Sequence, residues 1–382
     1  MLSRLSELIW ADWIWFPEGY GWDDLKDADG NVYPKVRDLW ATVPIALCFL
    51  VLRKIFEQTV GLPLASMLRV KDKHLAQAPP NPILESHFCN KSKHPAQSAT
   101  ENLSRRTGCS VRQVQRWFRQ RRNQDRPSKL KKFQEASWRF IFYFLAFFAG
   151  LAVLIDKPWF HDTKNMWKDF PKMPLLPSQY WYYMIELGFY FSLVCSVASD
   201  VKRKDFKEQI IHHVATILLI SFSWMVNYTR TGTLIMLVHD ASDYLMELAK
   251  MFNYAGWKRT CNFIFASFAA VFIISRLIVF PFWIIHATFV YPLTVIRPFF
   301  GLCFFNGLLF VLLALHVFWA VLILRIAVKF LPGNGIVEDE RSDKEETESE
   351  EEDDVCERRE KWKNGHVQRS RFLNNNHIRK MD

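Results

Sequence analysis

The chain has 382 residues and a formal net charge of +10, and half of its residues are hydrophobic, with 33 Phe and 15 Trp. The charged residues concentrate in segments 57–137 and 338–382, between and after long apolar runs. This division excludes an ordinary soluble multidomain protein and indicates a membrane protein with polar extensions. The seven cysteines are scattered without CxxC spacing, which argues against a disulfide framework or a cysteine-based metal site.

Residues 1–39 are expected to form an N-terminal segment ahead of the first membrane span. Leu2, Leu5, Ile9, Trp13 and Phe16 recur at helical spacing. The spacing predicts an amphipathic helix that lies on a membrane surface, or equally one that packs against the core. The segment lacks the pattern of a signal peptide, so we expect it to remain on the mature chain.

Apolar runs of sufficient length predict seven membrane spans. The fifth carries the sequence HDASD and is included because its flanks require a crossing there. Lys and Arg in the connections after the first, third and fifth spans then fall on one side, which the positive-inside rule assigns to the cytosol. We therefore expect a lumenal N-terminus and a cytosolic C-terminus. The predicted spans are 40–58, 138–155, 180–198, 208–227, 233–251, 262–290 and 299–328.

Residues 66–130 form a basic soluble insert between the first two spans. Its sequence RQVQRWFRQRRNQ resembles the recognition helix of a homeodomain, with matches at Trp117, Phe118, Arg121 and Arg122. Gln120 occupies the position of the adenine-reading Asn of homeodomains. We therefore expect a structural or electrostatic role beside an anionic membrane surface, and not DNA binding.

The C-terminal segment 333–382 is an acidic tail. Its block VEDERSDKEETESEEEDD has no apolar period, which predicts disorder on the cytosolic side. Ser342 and Ser349 lie among acids and are candidates for phosphorylation. A simple solubilising role is the alternative.

Two neighbouring spans carry ionisable side chains, which membrane helices rarely keep without a use. Because the fourth and fifth spans run in opposite directions, His212 and Asp243 are expected to meet near the cytosolic side. A carboxylate beside an imidazole raises its basicity and stabilises its cation, as acid/base or nucleophilic chemistry requires. The residues concerned are His212 and His213 in the fourth span, and His239, Asp240, Asp243 and Glu247 in the fifth.

Three interpretations of these residues compete: acyl transfer from a thioester, a metal site, and buried polar pairs that lock helix packing. The metal site is disfavoured because membrane di-iron enzymes use many more histidines in tight clusters. His286 and His316 are isolated in the sequence, and we interpret them as packing residues. Arg276, deep in the sixth span, needs a partner, for which a fifth-span carboxylate is a candidate.

The stretches DVKRKDFKEQIIHHVATILLISFSW and LVHDASDYLMELAKMFNYAGW resemble the Lag1 motif of the ceramide synthases, members of the TLC (TRAM, Lag1, CLN8) family. The similarity extends to NQDRPS, KKFQEASWRF, DKPWF, PSQYWYYMIEL and the acidic tail. It implies N-acylation of sphinganine or sphingosine by fatty acyl-CoA in the endoplasmic reticulum membrane, with acyl-CoA as a substrate and neither cofactor nor metal. It also implies an all-α catalytic domain over residues 131–332, in which spans two to seven enclose an acyl tunnel as a six-helix barrel.

The resemblance also assigns roles to particular residues. His212 and His213 would be the catalytic pair, with His212 acting as acid/base or forming an acyl-imidazole, and Asp240 and Asp243 would support them. His239, Glu247 and Arg276 are further supporting candidates. The basic loop of Lys202, Arg203, Lys204 and Lys207 could attract the phosphates of coenzyme A, or could be an ordinary positive-inside loop.

The acyl chain length that the enzyme selects is expected to depend on the length of the tunnel, because each acyl methylene that is buried there contributes about 0.8 kcal/mol to binding. In the family, the connection before the last span bears on this selectivity, and likeness of the tail sequence to one animal paralogue implies very long acyl chains. Homodimers or heterodimers with other ceramide synthases are possible partners. The alternatives are a membrane-anchored DNA-binding regulator and a lipid transporter or sensor without turnover. The selectivity candidates are Tyr291, Pro292, Arg297, Pro298, Phe299 and Phe300.

Overall fold

The computed structural model describes residues 7–70 and 77–330. Within this part of the chain the protein is helical, and the one β feature is an isolated bridge between Ala28 and Asn31, so the predicted all-α class is confirmed. The described residues form two compact units, one of residues 77–126 and one of the remainder. The acidic tail, with Ser342 and Ser349, lies outside the described residues.

Ten helices of nine or more residues are numbered here in chain order over the described residues. The second half of the ninth is π-helical and contains Pro281. Their bounds are α1 Thr42–Phe56, α2 Pro82–Asn90, α3 Gln97–Thr107, α4 Val111–Asp125, α5 Lys129–Leu154, α6 Pro177–Ser196, α7 Phe206–Met225, α8 Thr229–Tyr254, α9 Lys258–Phe272 with its π-helical continuation Ile273–Val290, and α10 Phe300–Phe330.

Four stretches in the described ranges are long and apolar enough to cross a membrane: Val36–Met67, Val111–Leu154, Lys258–Val295 and Phe300–Val328. Helices α6, α7 and α8 have 20, 20 and 26 residues, so each is about 30 Å long or longer, which is enough to span a hydrocarbon core of about 30 Å. They are less apolar because they hold the acids, histidines and tyrosines of the interior. The protein is therefore membrane-embedded.

The turn between α7 and α8 sets the depth of the residues on both helices. Asn227 adopts a positive φ of 60°, a conformation that Asn tolerates better than most residues. Its buried side-chain amide donates hydrogen bonds to the carbonyl oxygens of Pro171 and Met173, at 2.7 and 2.8 Å. This reversal makes α7 and α8 antiparallel, and it brings His212 and His239 to the same level.

The first helix packs closely on α6 because one contact residue is a glycine. A Cβ atom on Gly188 would lie 2.5 Å from Ile45 Cγ2, so only glycine permits this approach of the two backbones. At the end of α1, the Arg53 guanidinium donates to Asp200 at 2.7 Å. The Arg139 guanidinium of α5 donates to the other Asp200 oxygen, also at 2.7 Å. Burial alone would raise the pKa of the Asp200 carboxyl, but Arg139 and Arg53 outweigh it and hold that pKa below its usual value.

The N-terminal segment contains a short helix at Asp12–Trp15 and a 3-10 turn at Trp22–Leu25. Trp15 and Phe16 are buried, whereas Trp13 is 67% exposed. The Trp15 ring stacks on Phe222 of α7 with centroids 5.1 Å apart. Leu2 and Leu5 lie outside the described residues, so only the part of the predicted amphipathic helix from Ile9 onward is described.

Residues 77–126 form a three-helix unit with its own core. Helix α3 ends at Gly108, whose φ of 68° suits glycine, and α4 begins with a capping box between Ser110 and Gln113. Gln120, at the position where a homeodomain reads adenine, is only 9% exposed. The core residues are Leu84, Phe88, Leu103, Val114, Trp117 and Phe118.

Candidate active site

Four buried imidazoles from three helices form a row, which we call the histidine row. His213 and His212 come from α7, His239 from α8 and His316 from α10. The ring centroids are 5.8 Å apart between His213 and His212, 6.3 Å between His212 and His239, and 4.8 Å between His239 and His316. His316 is isolated in the sequence but has a histidine neighbour in the structure, because spacing along one helix does not show which neighbouring helix its residues face; its role as a packing residue stays a prediction. His286 lies on an exposed position of the π-helix.

The hydrogen bonds of the row fix which ring nitrogens of His239 and His316 carry a hydrogen. His239 Nδ1 lies 2.7 Å from the Ile235 carbonyl oxygen, so this nitrogen carries the hydrogen and donates it. In a neutral ring, His239 Nε2 must then accept. His316 Nε2 lies 3.0 Å away and is therefore the donor. The remaining nitrogen, His316 Nδ1, is buried and has no hydrogen-bond partner among the described residues.

The carboxylate of Asp243 binds Arg276 and not His212. Arg276 Nη2 donates to Asp243 Oδ1 at 2.6 Å and to the His239 carbonyl at 2.8 Å. No hydrogen bond joins His212 to a carboxylate in the described part of the chain, and its Nδ1 has no partner there. The expected contact between His212 and Asp243 therefore does not form directly. A permanent guanidinium charge competes more strongly than a neutral imidazole for a buried carboxylate.

The other two acids of α8 have partners of their own. Asp240 accepts a hydrogen bond from the Tyr182 hydroxyl at 3.4 Å and lies beside Glu186, one turn further along α6. Glu247 accepts from Lys250 Nζ at 2.6 Å. Glu186 is a buried acid that we did not single out in the sequence, although an acid within the apolar run YWYYMIELGFY was a visible signal.

The histidine row crosses the wall between two cavities. His212 and His213 line a polar cavity of about 140 Å³, and His239 lines an apolar chamber of about 50 Å³. Trp319 of α10 also lines the polar cavity and places its ring edge on His212, with centroids 5.5 Å apart. The other charged residues on the polar wall are Arg139, Asp200, Arg203, Asp205, Asp243, Glu247, Lys250 and Arg276. Residues on the chamber wall include Tyr190, Leu219, Ile220, Ile235, Met236, Leu302, Phe305, Leu309 and Leu312.

Only one residue of the predicted phosphate-binding loop reaches the polar cavity. Arg203 is on its wall, whereas Lys202, Lys204 and Lys207 are exposed. The sequence analysis missed Arg139 of α5 and Lys250 of α8, which bring further positive charge to this wall. Both residues are distant from the basic loop in the sequence, so the sequence does not show that they reach the same cavity as Arg203.

The predicted selectivity residues lie beyond the apolar chamber. Tyr291 and Arg297 line an open surface groove of about 700 Å³, and Arg297 pairs with Glu18 at 2.6 Å. Phe300 packs edge-on against Trp15, Pro292 and Phe299 are buried, and Pro298 is exposed. None of the six is on the wall of the chamber in the described structure; Leu302 and Phe305, at the start of α10, are.

Comparison with known proteins identifies two regions. Residues 132–325 match the family model of the TLC domain, and residues 81–127 match that of the homeodomain. Human ceramide synthase 3 is 47% identical over 91% of this chain and 90% of its own length. Human ceramide synthase 4 is 45% identical over 96% and 93%, and human ceramide synthase 5 is 43% identical over 93% and 91% of the respective chains. The TLC domain and this similarity over nearly the whole length show that the chain belongs to the ceramide synthase family.

Proposed function

We propose that this enzyme transfers a very long acyl group from acyl-CoA to a sphingoid base at the histidine row. Its membership of the ceramide synthases makes it an acyl-CoA-dependent sphingosine N-acyltransferase. The observation that carries the site assignment is the position of the row, between a polar cavity lined by ionised side chains of both signs and an apolar chamber. Acyl-CoA has the same order of parts: an anionic head, a thioester and a fatty tail.

The polar cavity suits the phosphates of coenzyme A. Arg139, Arg203 and Lys250 lie on its wall, where Arg139 is bound to Asp200 and Lys250 to Glu247. Charge-assisted hydrogen bonds from such cationic groups to phosphate are strong. The exposed Lys202, Lys204 and Lys207 extend the positive potential outward, where it can raise the local concentration of an anionic substrate. The tail would then pass His212 and His239 into the chamber.

The chemistry assigned to His212 is nucleophilic. A neutral imidazole nitrogen attacks the thioester carbonyl carbon, the carbon–sulfur bond breaks, and the thiolate of coenzyme A leaves. The neutral amine of the sphingoid base then attacks the acyl-imidazole, the bond to the ring breaks, and His212 is released as a neutral imidazole. The proton that the amine loses as the amide forms is taken up by the coenzyme A thiolate, which gives the free thiol. Direct attack by the amine, with His212 as the general base, is the alternative route.

Arg276 is placed to stabilise the tetrahedral oxyanion of either route. Its guanidinium is buried on the wall of the polar cavity, and its Nε–H has no acceptor among the described residues. A preorganised donor of this kind contributes about 3 to 4 kcal/mol to transition-state stabilisation in known oxyanion holes. Asp243 holds Arg276 in this position and acts through it.

The site is tested by acyl transfer from acyl-CoA to sphinganine in purified His212→Ala and Asp243→Asn variants. We expect His212→Ala to lower kcat by about 100-fold or more, as for loss of a catalytic base or nucleophile, and Asp243→Asn to lower it less. His286→Ala removes an exposed imidazole from the same membrane domain and should leave kcat unchanged. Undiminished product from His212→Ala would refute the assignment.

The two chemical routes are separated by omitting the amine. An acyl-imidazole predicts release of one equivalent of coenzyme A and a hydroxylamine-sensitive acyl group on the wild-type enzyme but not on His212→Ala. General-base catalysis predicts neither.

The membrane arrangement is also part of the proposal. Helix lengths support seven spans, with α5 to α10 forming the six-helix barrel of the TLC domain in the endoplasmic reticulum membrane. The basic loop before α7, whose Arg203 lines the polar cavity, supports a cytosolic position for that cavity, because coenzyme A is cytosolic and positive loops prefer that side. The N-terminus is then lumenal and the acidic tail cytosolic.

A further inference from the structure

A single indole separates the apolar chamber from the surface groove. Trp167 lies in the connection between α5 and α6, and it is the one described residue on the walls of both spaces. Its ring is 7% exposed. Trp167 is therefore the candidate partition between the chamber and the groove.

The indole is held in place by contacts on each side. Trp167 Nε1 donates to the Ala287 carbonyl oxygen of the π-helix at 2.7 Å. Its ring meets Tyr228 of the chamber wall edge-on at 5.4 Å and Phe170 of the groove wall at 5.3 Å. Phe170 and Tyr228 in turn stack on each other, with centroids 4.9 Å apart. The partition is thus a small aromatic cluster with one hydrogen bond to the membrane domain.

The distance from the histidine row to this partition limits the length of the acyl tail. The chamber follows α8 from Thr231 to His239 and α10 from Leu302 to Leu312, which are about 12 and 15 Å at 1.5 Å per residue. A single leaflet, about half of the 30 Å hydrocarbon core, has the depth of an ordinary membrane fatty tail. A tail of that length reaches from His239 to Trp167, and a very long tail does not fit between them.

We propose that Trp167 determines acyl chain length by closing the far end of the chamber, and that very long acyl chains are accepted only when its indole moves aside and the tail enters the surface groove. The groove has room for this, with a volume of about 700 Å³; Tyr20, Phe170 and Tyr291 offer aromatic surface on its wall, among charged residues that face the opening. The inference rests on the proposed position of the acyl tail in the chamber. Trp167 is thus a specificity residue in the connection between α5 and α6, separate from the selectivity candidates in the connection before the last span.

The test compares kcat/KM for palmitoyl-CoA and lignoceroyl-CoA, with sphinganine, in the purified full-length enzyme and two variants. Trp167→Ala should raise the ratio of lignoceroyl to palmitoyl transfer by about tenfold, since apolar pockets discriminate by about that factor or more for small changes in fit. Trp167→Phe, which loses the bond to Ala287 but keeps an aromatic ring, should raise the ratio by less. Trp159→Ala is the matched control: Trp159 is equally buried, at 7%, and packs under Arg230. It is not on the chamber wall, and the ratio should not change.

An unchanged ratio in Trp167→Ala or Trp167→Phe with palmitoyl transfer intact would overturn the proposal. Loss of palmitoyl transfer in both variants would also count against it, because the partition should be dispensable for the shorter chain. Leu309→Phe tests the underlying position of the tail by narrowing the middle of the chamber. If Leu309→Phe leaves both rates unchanged, the fault lies with the chamber and not with Trp167.

Discussion

At the scale of single residues, the buried pair of His239 and His316 has the strictest requirement in the site. His239 Nδ1–H is committed to the Ile235 carbonyl, so its Nε2 needs a donor, and His316 Nε2–H supplies it at 3.0 Å. Leaving a buried acceptor without a donor costs about 1 to 3 kcal/mol. His316 is therefore a positioning residue, which satisfies His239 Nε2 and holds the orientation of the imidazole stacked beside His212.

This role predicts different outcomes for two substitutions of His316. His316→Leu should lower kcat by about 10- to 100-fold, the range found when partners that orient metal-bound histidines are removed, with a smaller change in KM. His316→Gln keeps an N–H donor on a side chain of similar reach and should recover much of the lost kcat. Steady-state kinetics at a fixed acyl-CoA chain length measures both. Equal losses of kcat in the two variants would show that catalysis does not depend on an N–H donor at position 316.

At the scale of helices, the sequence predicted single elements better than the contacts between them. Periodicity and polar content marked α7 and α8 as the helices of the site, because a face repeats within one helix. It also named a fifth-span carboxylate as the candidate partner of Arg276, and Asp243 pairs with that guanidinium. It could not show that His316 meets His239, or that Arg139 and Lys250 reach the same cavity, because these contacts join different helices. The close contact of α1 with α6 at Gly188 was equally hidden, since the sequence does not show which residue a glycine admits.

The contact between α1 and α6 predicts a loss of stability on enlarging Gly188. Gly188→Ala should be destabilised by about 1 to 3 kcal/mol, as for other overpacked cores, because its Cβ would lie 2.5 Å from Ile45 Cγ2. In the double variant Ile45→Ala with Gly188→Ala the obstructing methyl is gone, so the loss should be smaller than the sum of the single effects. Thermal unfolding in detergent measures this, with Gly307→Ala as the control, since nothing lies within 4 Å of a Cβ there. If the losses of stability in the two single variants simply add in the double variant, α1 and α6 move apart to admit the new Cβ and Ile45 does not obstruct it.

At the scale of the whole molecule, the polar cavity and the apolar chamber occupy different parts of one membrane domain. The ionised side chains of the polar cavity and the exposed lysines of the basic loop before α7 lie on one side of the histidine row, while the walls of the chamber on the other side are nearly all apolar. The composition predicted a membrane protein with charged extensions, but it could not give this gradient, which arises only when helices distant in the sequence pack together. The separate three-helix unit carries its charge differently: Arg121 is bound by Glu85 and Asp125. Part of its basic character is thus neutralised within the unit.

The charge gradient predicts that acyl-CoA binding depends on salt. Opposite charges attract over about 10 Å at 0.1 M ionic strength and over less at higher salt, so KM for acyl-CoA should rise with salt while kcat changes little. Substituting both Lys204 and Lys207 with Ala should raise KM at low salt and flatten its dependence on salt, because these exposed side chains act through long-range attraction. Lys168→Ala removes a charge from the surface groove, beyond the far end of the chamber, and should leave the salt dependence as in the wild type. A KM that is insensitive to salt, or equally affected by Lys168→Ala, would mean that the basic loop before α7 does not attract the coenzyme A head.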